Sequence, residues 1–212
     1  MPSQNTHLKS QPVVDHTIQR IVSQIHATPH QVVFEFAGAG SLALSSLHAV
    51  GGSSRTILEA TDRYASSSMV ELLGYEPEQF VTPDTARSMA RHAYQRALRL
   101  SAGDAPVIGV GCTGTITTDY PKRGDHHCQV AVCEHRRLTR YAVTFLKGSR
   151  QRYQEETLVS RIVLNGLAHA CGISTSLELG LEREEIVRVH ITKILRIRLN
   201  NYYRGTRKQL LS

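Results

Sequence analysis

Residues able to do chemistry cluster at three places in this 212-residue chain. The first runs from Gly52-Ser53-Ser54 through Tyr64 and Ser66-Ser67-Ser68-Met69 to Gly74. Accessible glycine backbone, adjacent hydroxyls and a tyrosine between two apolar-periodic segments suit a polar ligand better than a core. The second is Thr113-Gly114, which closes the apolar run Pro106 to Cys112. A run of that kind reads as a strand buried on both faces, and ligands gather beyond the carboxyl ends of such strands. The third is Lys122-Arg123-Gly124, where a planar guanidinium fork and an ammonium could clamp a phosphate or simply form a solvated basic loop.

A metal centre is disfavoured. His126-His127-Cys128, Cys133 and His135 supply soft ligands, but no pair has the two-residue gap of a zinc knuckle, and neighbours on a strand point to opposite faces. No cofactor is called for either.

The elements that must position these groups follow from periodicity. Ile18, Ile21, Val22 and Ile25 behind Asp15 predict a helix that ends at Pro29. Gln31 to Ala37 reads as a buried strand stopped by Gly38-Ala39-Gly40, with a helix through Leu42, Leu44, Leu47 and Val50 behind it. A strand, glycine turn and helix in that order can offer backbone N–H groups to an anion, although a plain packing turn is the commoner outcome. Thr82-Pro83-Asp84 opens a strong helix with the apolar stripe Ala86, Met89, Ala90, Ala93, Ala97 and Leu98, its arginines expected in solvent. Strands follow near 106–112, 128–133 and 140–146, then a helix over about 154–170 with Glu155 and Glu156 complementing its amino end. Strands alternating with helices predict a three-layer α/β/α domain over 15–172, preceded by a flexible segment 1–14.

Charge and composition bound the remaining choices. Of the formal +7, residues 181–212 contribute +5 from eight Lys/Arg against three Glu, leaving +2 for the rest. The segment 173–212 is therefore a basic extension. Period-two alternation from Val187 to Leu199 predicts a strand followed by a tail, suited to a sheet edge or a second subunit. With aromatics there limited to Tyr202 and Tyr203, packing is favoured over nucleic-acid binding. Four scattered cysteines and the absence of a basic-apolar leader predict a reducing, cytoplasmic setting, and no run is long enough for a membrane span.

The same phrases resemble the C-terminal domain of the CinA family, the nicotinamide mononucleotide deamidase fold, over roughly residues 15–172. Ser54, Tyr64 and Gly74 fall at places matching that family's Gly-Ser-Ser turn, tyrosine and helix end, while Met69 stands where the family has a lysine. Phe36-Ala37-Gly38-Ala39-Gly40-Ser41 replaces Glu-Ser-Cys-Thr-Gly-Gly, and Thr113-Gly114 matches the family's Thr-Gly. Pro121-Lys122-Arg123-Gly124-Asp125-His126 and Leu72-Leu73-Gly74 resemble most closely the family's eukaryote-type branch.

The resemblance implies Ser54 as nucleophile, Thr113 as an aid to the oxyanion or substrate, and Gly40, Ser53, Tyr64, Gly114, Lys122, Arg123 and Arg150 as substrate-binding residues. It also implies a small nucleotide such as nicotinamide mononucleotide as partner, and a homo-oligomer. Met69 can neither accept nor donate a proton, so the implied serine–lysine pair is broken. His126, His127 and Lys122 remain as substitute bases. A pocket with impaired amide hydrolysis, an active amidohydrolase with a substitute base, and a non-catalytic assembly module all stay open.

Overall fold

The computed structural model describes residues 15–194. The flexible segment expected at 1–14 and the tail beyond 194 lie outside the described residues. Within them the expected layers are present. Helices α1 (His16–His26), α2 (Ser41–Ala49) and α6 (Arg152–Ala170) cover one face of a six-stranded sheet, and α4 (Ser66–Leu73) and α5 (Pro83–Leu100) the other. The strands are β1 (Gln31–Ala37), β2 (Ile57–Asp62), β3 (Val107–Thr115), β4 (His126–Cys133), β5 (Arg137–Phe145) and β6 (Arg188–Lys193), with the single-turn helix α3 (Ser53–Thr56) before β2.

Their order is β2-β1-β3-β4-β5-β6; β2, β1 and β3 run parallel, and β3 to β6 antiparallel. Alternation along the strands explains the layering. Val32, Phe34 and Phe36 of β1 and Ile108, Val110 and Cys112 of β3 enter the core shared with α1, α2 and α6. Val33 and Val107 face α5. Against α5, β3 carries Gly109 and Gly111 where larger residues would be expected. A Cβ at Gly109 would lie 2.1 Å from the Tyr94 nitrogen, and one at Gly111 2.5 Å from the Ala86 oxygen. The alanine stripe of α5 thus lies directly on strand backbone.

Caps explain the helix starts. Thr82 accepts from the Thr85 amide at 3.1 Å ahead of Pro83, and Asp15 accepts from the Thr17 amide at 2.9 Å. A reciprocal Gln151–Gln154 capping box opens α6 two residues earlier than periodicity suggested.

Three expectations are revised. The span from Gly52 to Gly74 is not one cradle but contains strand β2, and its ends sit at opposite ends of the sheet. The α5 arginines are not all solvated, because Arg96 forks onto Glu59 of β2 at 2.7 and 3.0 Å. Residues 173–187 pack down rather than trail away. Leu177 is buried in the core, held by Asn165 bonding its backbone on both sides, and the chain then adds β6 antiparallel to β5. The predicted strand is observed over 188–193, and its continuation to Leu199 lies outside the described residues.

Candidate functional site

In this sheet the chain leaves β1 toward β2 on one side, and the next parallel strand, β3, lies on β1's other side. A crevice therefore opens at their carboxyl ends, where open α/β sheets bind ligands. A cleft of about 260 Å³ lies there. Its floor is Ala37-Gly38 of the β1 turn against Thr113-Gly114 of β3. Gly38 has φ +74°, and a Cβ on it would fall 2.2 Å from the Gly114 carbonyl oxygen, so the two turns touch backbone to backbone.

One wall is Arg63, Tyr64, Ser66 and Met69, which follow β2 and enter α4. The rim opposite is Thr115, Ile116, Thr118, Tyr120 and Lys122, with Arg152 from the first turn of α6. Phe80 and Val81, just before α5, complete the lining, and Thr113 Oγ1 donates to the Phe80 carbonyl at 3.2 Å.

The lining holds three cations and no carboxylate. Arg63 is braced from behind by Glu35, which is 1% exposed: Arg63 Nε donates to it at 2.8 Å, and His92 Nδ1 lies 3.1 Å away. The carboxylate beside Arg63 holds its guanidinium pKa above the usual value. Lys122 Nζ donates to Thr115 Oγ1 at 2.8 Å and to the Ile116 carbonyl at 2.6 Å. Partial burial lowers its pKa, and nearby Arg152 adds to that while Glu155 opposes it. Arg152 Nη1 donates to the Thr117 carbonyl at 2.8 Å.

Buried carboxylates hold the loops that carry these groups. Glu155 is fully buried; it accepts from the Thr117 amide at 2.7 Å and lies 3.0 Å from His126 Nδ1, fastening both ends of the Lys122 loop to α6. Lys147 donates to the carbonyls of Lys122 and Gly124 within that loop. The two α6 glutamates thus serve tertiary contacts as well as the helix dipole.

Thr113, Gly114, Tyr64 and Lys122 come together in this cleft, while the other expected site residues stand elsewhere. Ser53 and Ser54 lie in α3, before β2, at the end of the sheet away from the crevice. There His26 bonds Thr56 at 2.8 Å and the Leu47 carbonyl at 2.9 Å, fixing α3 to α1 and α2. The Gly40 amide faces Glu156, whose carboxylate accepts from it at 3.0 Å, from Ser41 Oγ at 2.9 Å and from the Leu42 amide at 3.0 Å. The α2 amino end already holds the protein's own anion there.

Arg150 donates to Glu185 at 2.6 Å and to the Gly180 carbonyl at 2.8 Å, so it anchors the segment after α6 instead of the cleft. Arg123 is exposed, outside the lining. Met69, 1% exposed, packs with Ala37 and Met89.

Sequence reasoning missed Arg63, Arg152 and Thr115. Arg63 stands directly after a strand that no glycine or proline announced, and Arg152 sits beside a capping box whose glutamines resemble an ordinary loop. As for thiol chemistry, all four cysteines are free and buried, and burial pushes Cys128 and Cys133 up to about 12 and Cys171 to about 11. They are poor nucleophiles. Among the described residues, no three His, Cys, Asp or Glu side chains form a metal-binding group, and no helix is long and apolar enough to cross a membrane.

No sequence-family model matches the chain, and no curated protein does. Solved structures do. The competence/damage-inducible protein CihA of Agrobacterium tumefaciens aligns with a TM-score of 0.56 at 20% identity, covering 76% of this chain and 99% of that one. A CinA superfamily protein of Escherichia coli aligns at 0.54 and 14% identity, covering 80% and 99%, and one of Enterobacter cloacae at 0.54 and 14%, covering 81% and 98%. With the sheet order, its flanking helices and the crevice in hand, the protein has the CinA superfamily fold.

Proposed function

We propose that this CinA-like domain binds a small phosphorylated ligand of the nicotinamide mononucleotide type in the cleft at the carboxyl ends of β1 and β3. One observation carries the reading: Arg63, Lys122 and Arg152 converge on a cleft whose lining contains no carboxylate. Neither Lys122 nor Arg152 has a carboxylate among its hydrogen-bond partners, so a phosphate supplies the missing countercharge. Tyr64 and Tyr120, 70% and 63% exposed at the rim, offer flat faces for a base or pyridine ring.

The amide hydrolysis implied by family resemblance is impaired, because Met69 supplies no base and Ser54 stands at the far end of β2. The chain assembles as a homo-oligomer through β6, the outer strand, whose six residues are all exposed and whose outer edge has no partner among the described residues.

Calorimetric titration tests the ligand class. Nicotinamide mononucleotide and AMP bind at least tenfold more tightly than nicotinamide riboside, and Arg152→Ala removes about 10- to 100-fold of that affinity, as expected for a hydrogen bond to a charged group. Equal affinity for the riboside and its phosphate sinks the proposal.

A further inference from the structure

The cleft contains one hydroxyl paired with one amine. Lys122 Nζ lies 2.8 Å from Thr115 Oγ1, within the distance at which a base activates a nucleophile. Other threonine hydroxyls in the lining are occupied. Thr113 Oγ1 donates to the Phe80 carbonyl, and Thr118 Oγ1 to that of Tyr120. Lys122 has a second partner, the Ile116 carbonyl at 2.6 Å, which can hold an N–H of the neutral amine and so aim its lone pair at Thr115. Both residues line this cleft and also the adjoining one bounded by Glu78, Asp125, His127 and Thr144, so the pair faces solvent space on two sides.

We infer that Thr115 and Lys122 form a nucleophile–base dyad for acyl transfer on a carboxylic amide or ester that carries an anionic group. The anionic group rests on the ligand reading given above; the dyad rests on the geometry of two side chains. Thr115 Oγ attacks the carbonyl carbon while Lys122 Nζ takes the hydroxyl proton. The carbon–nitrogen or carbon–oxygen bond breaks, and Lys122 returns that proton to the departing amine or alcohol. Water then attacks the threonyl ester, again giving its proton to Lys122, and the carboxylate leaves with the Thr115 hydroxyl restored. Arg152, near enough to Lys122 to disfavour its protonation, provides a positive charge toward the developing oxyanion. This arrangement owes nothing to the Met69 position or to Ser54.

A fluorophosphonate, incubated with the full-length chain and followed by peptide mass spectrometry, tests the dyad without knowledge of the substrate. Phosphorus bonds to Thr115 Oγ, fluoride leaves, and Lys122 takes the proton. The adduct maps to Thr115. It forms at least about 100-fold more slowly in Thr115→Val and Lys122→Arg, the usual scale of general-base help, and persists in Thr115→Ser.

Its rate rises with pH to a midpoint below 10.5, because only the neutral amine accepts a proton; the charged groups acting on Lys122 are Arg152, Lys147 and Glu155. Lys122→Arg keeps the donors that pin the loop, and circular dichroism checks its fold. A wild-type chain unlabelled at Thr115, or Lys122→Arg labelled at the wild-type rate, overturns the dyad. AMP titration on the same samples separates the two proposals. Binding without an adduct removes the dyad alone; an adduct without AMP binding supports the dyad and removes the anion reading.

Discussion

Gly109→Ala is the sharpest test of how the cleft is built. The added Cβ would meet the Tyr94 nitrogen at 2.1 Å and the Ala90 oxygen at 2.3 Å. Ordinary contact begins near 3.4 Å, so α5 or β3 must yield by about 1.3 Å. Neither atom can rotate away, since both belong to helix backbone. Lifting α5 loosens Ala86, Ala90, Ala93, Tyr94 and Ala97, which hold it to the sheet. Overpacking of well-packed sites costs about 1–3 kcal/mol, and two backbone clashes place this case at or above the upper end.

The perturbation reaches function because the segment before α5 supplies Phe80 and Val81 to the cleft. Urea unfolding monitored by circular dichroism, with m compared to confirm two-state behaviour, measures the loss. Gly51→Ala is the control, since nothing lies within 4 Å of its Cβ position, and it stays within about 0.5 kcal/mol of wild type. A Gly109→Ala protein equally close to wild type refutes the claim that helix backbone rests on β3.

Two further outcomes follow from contacts that the sequence did not reveal. Arg150→Ala leaves AMP affinity within about twofold of wild type. It destabilises the fold by about 3 kcal/mol, because it strands the buried Glu185 carboxylate, and limited proteolysis then cuts first within 173–187; a large loss of affinity without destabilisation would return Arg150 to the site. Burial lowers the pKa of His26 and of His30, so both resist protonation in the fold. Their contribution is complete above the unfolded value of 6.5 and is lost as pH falls toward the folded values. Thermal melts between pH 7 and 5 show this decline, and His26→Asn has a shallower one; an unchanged slope in that variant removes His26 as a source.

The layer architecture was legible in the chain because it rests on local rules. Periodicity at Ile18 to Ile25 and Ala86 to Ala97, the Thr82-Pro83 start and the apolar run into Thr113-Gly114 each specify an element without reference to distant residues. Alternation from Val187 also predicted the strand that closes the sheet edge. The strand β2 escaped because Ile57-Leu58-Glu59-Ala60-Thr61-Asp62 has two acidic side chains. One of them, Glu59, is neutralised by Arg96, thirty-seven positions later.

Only the tertiary structure decided which polar groups meet. Sequence proximity joined Ser54 to Tyr64, yet a strand carries the chain across the sheet between them. Arg150 read as a ligand residue until Glu185 folded back onto it, and Gly40 read as an anion site until Glu156 filled the α2 amino end. Conversely, Arg63, Lys122 and Arg152 belong to three separate segments and become one cationic wall because parallel strands bring their carboxyl ends to a common edge. Local chemistry determined the elements; long-range pairing of charges and backbone decided the site.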